Sequence, residues 1–209
     1  MTKNQQDFFN RFDIHVFDLT TNLSHVVAIA TEHGFGGIVV PTSRLEELIT
    51  YTKTVEMGEE CSSPPRPIAM IDYPYGSSTL DVRQFQIISA KHAGAKSVEV
   101  VAPYHYIYKE DKNMIQKDVE NMVALAKKYS IEIRYVIDVG NTYVSDEKIE
   151  NLLKNLRSLT IRCVTCGSGY FNEMVSFDEF VLKCRELKKG FGKPTKSFIE
   201  TEDQEDVLL

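Results

Sequence analysis

Short β-like runs alternate with longer helix-like runs along almost the whole chain, and this pattern restricts the fold more than any other feature. Residues 14–18, 36–40, 68–72, 97–102, 131–139, 159–166 and 196–199 read as strands, rich in Val, Ile and aromatic residues and stopped by Pro or Gly. Between them, residues 22–33, 43–57, 80–92, 112–129, 145–156 and 176–188 read as helices. Local chemistry supports several boundaries. Gly34 and Gly94 close two helices, and Thr42 or Ser43 and Ser145 stand where a short side-chain oxygen caps a helix start. In 112–129 the apolar residues Ile115, Val119, Met122, Val123 and Ala126 fall three or four apart. In 80–92 the apolar positions are Leu80, Phe85, Ile88 and Ala90.

Strand–helix alternation of this kind builds parallel βαβ units. Two architectures fit, a (β/α)₈ barrel and an open doubly wound sheet. A full barrel typically takes about 250 residues, and the chain has 209. As a barrel, the α/β fold would be (β/α)₈ TIM-barrel-like but incomplete, with about seven parallel strands and the last unit missing; the open sheet is the alternative. Such a barrel leaves edge groups on its first and seventh strands, which invites pairing with another copy or a larger partner. Residues 1–199 form the barrel domain, and 200–209 form an acidic tail.

Charge narrows the partners. The net charge is −6, and five acids lie in the last ten residues: Glu200, Glu202, Asp203, Glu205 and Asp206. The body is nearly neutral, which argues against nucleic acid as a partner. No run reaches the roughly 18 apolar residues of a membrane span. Residues 1–13 are polar and lack a secretory apolar core, so the expected location is cytoplasmic. The four cysteines are no disulfide framework. Cys163 and Cys166, three apart in a strand, point to opposite faces and read as small packed side chains, not metal ligands.

In parallel α/β folds chemistry gathers beyond the C-terminal strand ends. Asp18, Asp72, Glu99 and Asp138 stand there. A carboxylate in an apolar run needs a partner or loses its charge, so together they point to a polar pocket. Arg134 shares a face with Asp138 and is expected to neutralise two of the four. The alternative is a hard cation held by their oxygens. His15, His25, His33 and His92 have no partner visible in the sequence. Tyr104, Tyr106 and Tyr108 around His105 make an aromatic cluster that covers the mouth or stacks a ring. Gly167-Ser168-Gly169 offers a small anion-binding turn.

Phe17-Asp18-Leu19-Thr20-Thr21, Tyr73-Pro74-Tyr75-Gly76, the run from Val98 to Tyr104, the run from Arg134 to Asp138, and Thr165-Cys166-Gly167-Ser168-Gly169 together resemble segments of the deoxyribose-phosphate aldolase family, in order and spacing over roughly 13–189. The resemblance implies a class I aldolase barrel in a divergent, C-terminally shortened form. It places Asp18, Glu99, Asp138 and Thr165 at catalytic positions and Gly167, Ser168 and Gly169 at a phosphate-binding position. It also exposes departures. The family's Schiff-base lysine on strand six is matched by Thr165, whose hydroxyl cannot form an iminium. Its proton-relay aspartate is matched by Glu99. Lys193 and Lys196 lie near its second lysine without the glycines that follow there.

Three functions are open on this reading. The first is an aldolase-like protein lacking Schiff-base activity, acting as a binding or structural module for a sugar-phosphate-like ligand or a protein partner, itself included. The second is an active lyase on 2-deoxyribose 5-phosphate or a related sugar phosphate, using Lys193 or Lys196. The third is a metal-assisted enzyme built on the strand-end carboxylates. Neither of the first two calls for a cofactor.

Overall fold

Seven parallel strands curl into one ring in the computed structural model, which describes residues 9–56, 63–138, 145–158, 164–167, 182, 185 and 195–200. The strands are β1 (Phe12–His15), β2 (Gly37–Pro41), β3 (Arg66–Ile71), β4 (Ser97–Val101), β5 (Glu132–Asp138), β6 (Val164–Gly167) and β7 (Thr195–Glu200). The helices are α1 (Leu23–His33), α2 (Leu45–Glu56), α3 (Leu80–Ala93), α4 (Tyr104–Tyr108), α5 (Lys112–Tyr129) and α6 (Asp146–Ser158). Asp138, β6 and β7 are described by their backbone.

The expected seven-stranded α/β barrel is present, but its predicted open edges are not. β7 pairs directly with β1, from Phe12 opposite Ser197 to His15 opposite Glu200. The ring closes with seven strands, so backbone groups expected to be unpaired on the first and last strands bond to each other. The edge-pairing argument for association therefore falls.

Both faces of β2, β3, β4 and β5 are covered, as parallel sheets require. Ile38, Val40, Ile68, Ala69, Ile71, Val98, Val100 and Ile137 are buried, and Leu23, Val27, Leu45, Leu48, Ile87, Val119 and Met122 from the helices join the same core. α1 begins at Asn22, whose side chain accepts from Ser24 N and His25 N, and ends at Gly34 with φ 74°. A left-handed residue there costs glycine little.

Two local expectations change. Thr42 and Ser43 lie in a 3₁₀ turn (Thr42–Arg44) without a side-chain cap bond, and α2 starts at Leu45. β1 begins at Phe12 and ends at His15, three residues short of Asp18. The ladder's last contact is Val16 N to Val39 O at 2.9 Å, after which Asp18 accepts from Thr20 and turns the chain. On α3, Phe85 is 72% exposed, while Arg83, Ile87 and Ala90 are buried. Hydrophobic periodicity scores an arginine as outward. Here Arg83 finds Asp72, Asp118 and the Val101 carbonyl inside, and takes the inner face. The expected helix at 176–188 lies outside the described residues, apart from helical backbone at 182 and 185. No helix among the described residues is long and apolar enough to cross a membrane.

Candidate functional site

β1 and β5 are not neighbours in the ring, so a bond between their side chains crosses the barrel interior. Arg134 Nη1 on β5 donates to Asp13 Oδ2 on β1 at 2.6 Å and to Glu99 Oε1 on β4 at 3.1 Å. Its Nη2 donates to Ser97 Oγ at 2.9 Å. The other Glu99 oxygen, Oε2, lies 3.2 Å from His15 Nε2. The side chains of Asp13, His15, Glu99 and Arg134 are all 0% exposed. Period-two geometry explains the grouping: Asp13 with His15, and Ser97 with Glu99, each share one face of a strand. Gly37, opposite Asp13 in register, makes room. A Cβ there would sit 2.8 Å from Asp13 Oδ1 and 2.6 Å from Ile68 Cδ1.

At the N-terminal end this network reaches water. Arg66 and Glu132, each 43% exposed, lie 3.5 Å apart, and Glu132 approaches Arg134 Nε at 3.6 Å. At the other end aromatic rings cover it. His15 meets the edge of Phe17 at 5.4 Å between centroids, and Phe17 stacks on Tyr73 at 4.1 Å and 17°. The lower barrel is thus filled by paired charges under a stacked ring pair.

A second network occupies the helix layer. Tyr135 Oη donates to Asp118 Oδ2 at 2.6 Å, and Arg83 lies 3.5 Å from Asp118 and 3.6 Å from Asp72. Burial pushes the Asp118 carboxyl above its ordinary range, against the pull of Arg83 and Tyr135. Burial and the neighbouring Asp118 push the Tyr135 hydroxyl up. Asp72 accepts Ser78 N at 3.1 Å, tying the loop after β3 to this network.

The sequence-derived site residues divide as follows. Glu99 is central to the interior network. Asp18 is exposed in the loop after β1, takes Thr20 N and Oγ1 at 2.8 Å each, and these bonds hold its carboxyl below the usual range. Arg134 neutralises Glu99 as expected, but its second acid is Asp13. Asp72 pairs with Arg83. His15, which the sequence left without a partner, has Glu99. Thr165 is opposite Val136 on β5 and Lys196 on β7, and Asp138 is opposite Gly167. Ser168 and Gly169 lie outside the described residues, as does Cys163. Tyr104 is buried, Tyr106 half-buried and Tyr108 exposed on α4.

Asp13, Arg83, Ser97, Asp118 and Tyr135 were missed by sequence reasoning. Asp13 had a usable signal: it stands two residues before His15 and four before Phe17, on one strand face. Asp118 and Arg83 are charges within helical runs and carry no local signal of burial. Among the described residues no three His, Cys, Asp or Glu side chains are placed to hold a metal ion.

Comparison with known proteins agrees with this architecture. No family model matches the chain. A deoxyribose-phosphate aldolase of Bacteroides thetaiotaomicron is 21% identical over 154 residues, 74% of this chain and 60% of that protein. The chain thus spans less than two thirds of that relative's length. Another, from Thermoanaerobacter pseudethanolicus, is 18% identical over 86% of this chain and 77% of its own. In three dimensions the tetrameric deoxyribose phosphate aldolase of Aeropyrum pernix superposes with a TM-score of 0.72 at 17% identity, covering 91% of this chain and 76% of that one. By sequence the chain is thus similar to deoxyribose-phosphate aldolases, and it shares their barrel fold.

Proposed function

We propose that this protein is an aldolase-fold binding module that does not perform Schiff-base carbon–carbon cleavage. The observation that carries the reading is Glu99. At the position the family resemblance gives to the proton relay, both carboxylate oxygens are engaged, one by Arg134 and one by His15, with no exposed surface. A relay must touch the reacting molecule and exchange protons with it. A carboxylate held between a guanidinium and an imidazole, beneath stacked rings, supports a structural role for Glu99. Thr165 adds to this, since a hydroxyl cannot form the covalent imine. The same arginine pairings favour structural ion pairs over a cation held by Asp72 and Glu99.

Borohydride trapping tests the reading. Full-length protein is incubated with acetaldehyde or 2-deoxyribose 5-phosphate and reduced, and its lysines are mapped by mass spectrometry. The expected result is no adduct and no release of acetaldehyde. A single stoichiometric lysine adduct with turnover would overturn the proposal.

One observation favours a second reading, an active lyase. Lys196 is the register neighbour of Thr165, so a lysine stands on the strand next to the family's nucleophile position. An adduct abolished by Lys196→Arg would establish this alternative. Self-association is a further part of the proposal. It is supported by the tetrameric state of the Aeropyrum pernix enzyme, and a monomeric mass by light scattering would refute it.

A further inference from the structure

α3 carries apolar residues on two faces, and only one of them meets the core. Arg83, Ile87 and Ala90 are buried on the inner face. On the outer face Asp81, Val82, Phe85, Ser89 and His92 are all exposed. Their spacing of three and four puts them on one helical stripe. At the centre of that stripe Val82 is 45% and Phe85 72% exposed, and Ile88 beside them is only partly buried. A helix with apolar residues all round is normally buried, so this stripe calls for a covering surface.

The ends of the stripe say what covers it. Asp81 lies in the first turn of α3, and Lys91 and His92 lie in the last. Among the described residues neither Asp81 nor His92 makes an ion pair, while Lys91 donates to the Ser130 carbonyl at 3.3 Å. A two-fold axis near Gln86 and Ile87 crosses two copies of α3 antiparallel. Each Asp81 then faces the other copy's His92 and Lys91, and each Phe85 faces the other copy's Ile88 and Ser89. Antiparallel helix dipoles add to this pairing. A two-fold contact uses the same patch on both copies. A face with an acid at one end, bases at the other and an apolar centre is complementary to itself.

A cavity of about 450 Å³ adjoins the stripe. Thr42, Ser43 and Glu46 at the start of α2 line one side, and Ser89, His92 and Ala93 at the end of α3 the other. The antiparallel crossing brings the second copy's Val82 level with it. α3 has 14 residues and alone presents a strip of roughly 21 Å by 10 Å. That is well short of the roughly 800 Å² per partner in a stable interface, and the cavity carries the contact onto α2.

We propose that the outer face of α3, with the start of α2, is the surface through which two copies of this chain pair about a two-fold axis. The inference rests on the self-association proposed above and names its surface. Light scattering and sedimentation of the full chain test it. The parent should associate in an even number of copies. Phe85→Asp should halve that number and raise the dissociation constant at least about thirtyfold, as for a residue at the centre of an interface. Asp81→Lys should weaken association by juxtaposing like charges, and adding His92→Glu should restore it. All three positions are exposed, so circular dichroism should stay unchanged. Tyr108→Ser, at an exposed aromatic on α4, should leave the mass as it is. An associated parent whose mass survives both Phe85→Asp and Asp81→Lys would overturn the surface and leave self-association standing. A monomeric parent would overturn both. Hydroxyl-radical labelling of that monomer would then assign the face, to the chain's own residues outside the described set if Phe85 is protected, and to a different protein if it is labelled.

Discussion

Replacing Arg134 with methionine is the most direct test of what holds the barrel interior together. The guanidinium is fully buried and bonds two buried carboxylates, Asp13 at 2.6 Å and Glu99 at 3.1 Å, as well as Ser97 at 2.9 Å. Removing one partner from a buried ionic group leaves uncompensated charge, which costs about 3–5 kcal/mol. With a urea m-value of about 2 kcal/mol/M, the unfolding midpoint should fall by roughly 1.5–2.5 M. Domains of ordinary stability have only about 5–15 kcal/mol to lose, so Arg134→Met should lie near the edge of folding at 37 °C. The assay is equilibrium urea unfolding at 25 °C followed by far-ultraviolet circular dichroism. The double variant Arg134→Met/Glu99→Gln should recover part of the loss, because a neutral amide replaces one stranded charge. That coupling should fall within about 0.5–3 kcal/mol. A midpoint shift below about 0.5 M for the single variant, or no recovery in the double variant, would refute the view that Arg134 is the hub of the interior.

Further outcomes follow from other contacts. Tyr135→Phe removes the 2.6 Å donor to Asp118 and should cost about 1.5–3 kcal/mol by denaturant titration, the range for hydrogen bonds to charged groups. Asp118 has its folded pKa raised above 3.8, chiefly by burial, so the folded state holds its proton more tightly than the unfolded chain. Its contribution is therefore most favourable below 3.8 and is lost as pH rises through the elevated folded value. Unfolding curves of the parent and Asp118→Asn across that window should show the parent gaining relative stability as pH falls, and parallel curves would contradict this. Gly76 has φ 57°, and a Cβ there would run into the Ala102 carbonyl oxygen. Gly76→Ala should therefore destabilise by more than about 1 kcal/mol, read as a fall in the urea midpoint.

The regular elements could be read residue by residue because their signals are local. Asn22 and Gly34 bracket α1, Gly94 closes α3, and Ile115, Val119 and Met122 set the face of α5; each acts within a turn or two of itself. Four strand-end acids were legible as unusual. Their partners were not, because Asp13 and Arg134 are 121 positions apart in sequence. Nothing in the sequence singled out Arg83, because its acceptors come from three other segments.

The amino-acid order alone therefore determined a parallel, helix-covered α/β fold with strand-end carboxylates, since periodicity and capping operate over a few residues. Tertiary structure decided that the ring closes with seven strands, β7 against β1. It also decided that Glu99 serves Arg134 and His15, and that Thr20 N and Ser78 N serve the protein's own carboxylates. The ring closure and the Glu99 pairings depend on which distant segments meet in low dielectric. There a charge takes the nearest complementary group that folding brings to it, and no local pattern records which group that is.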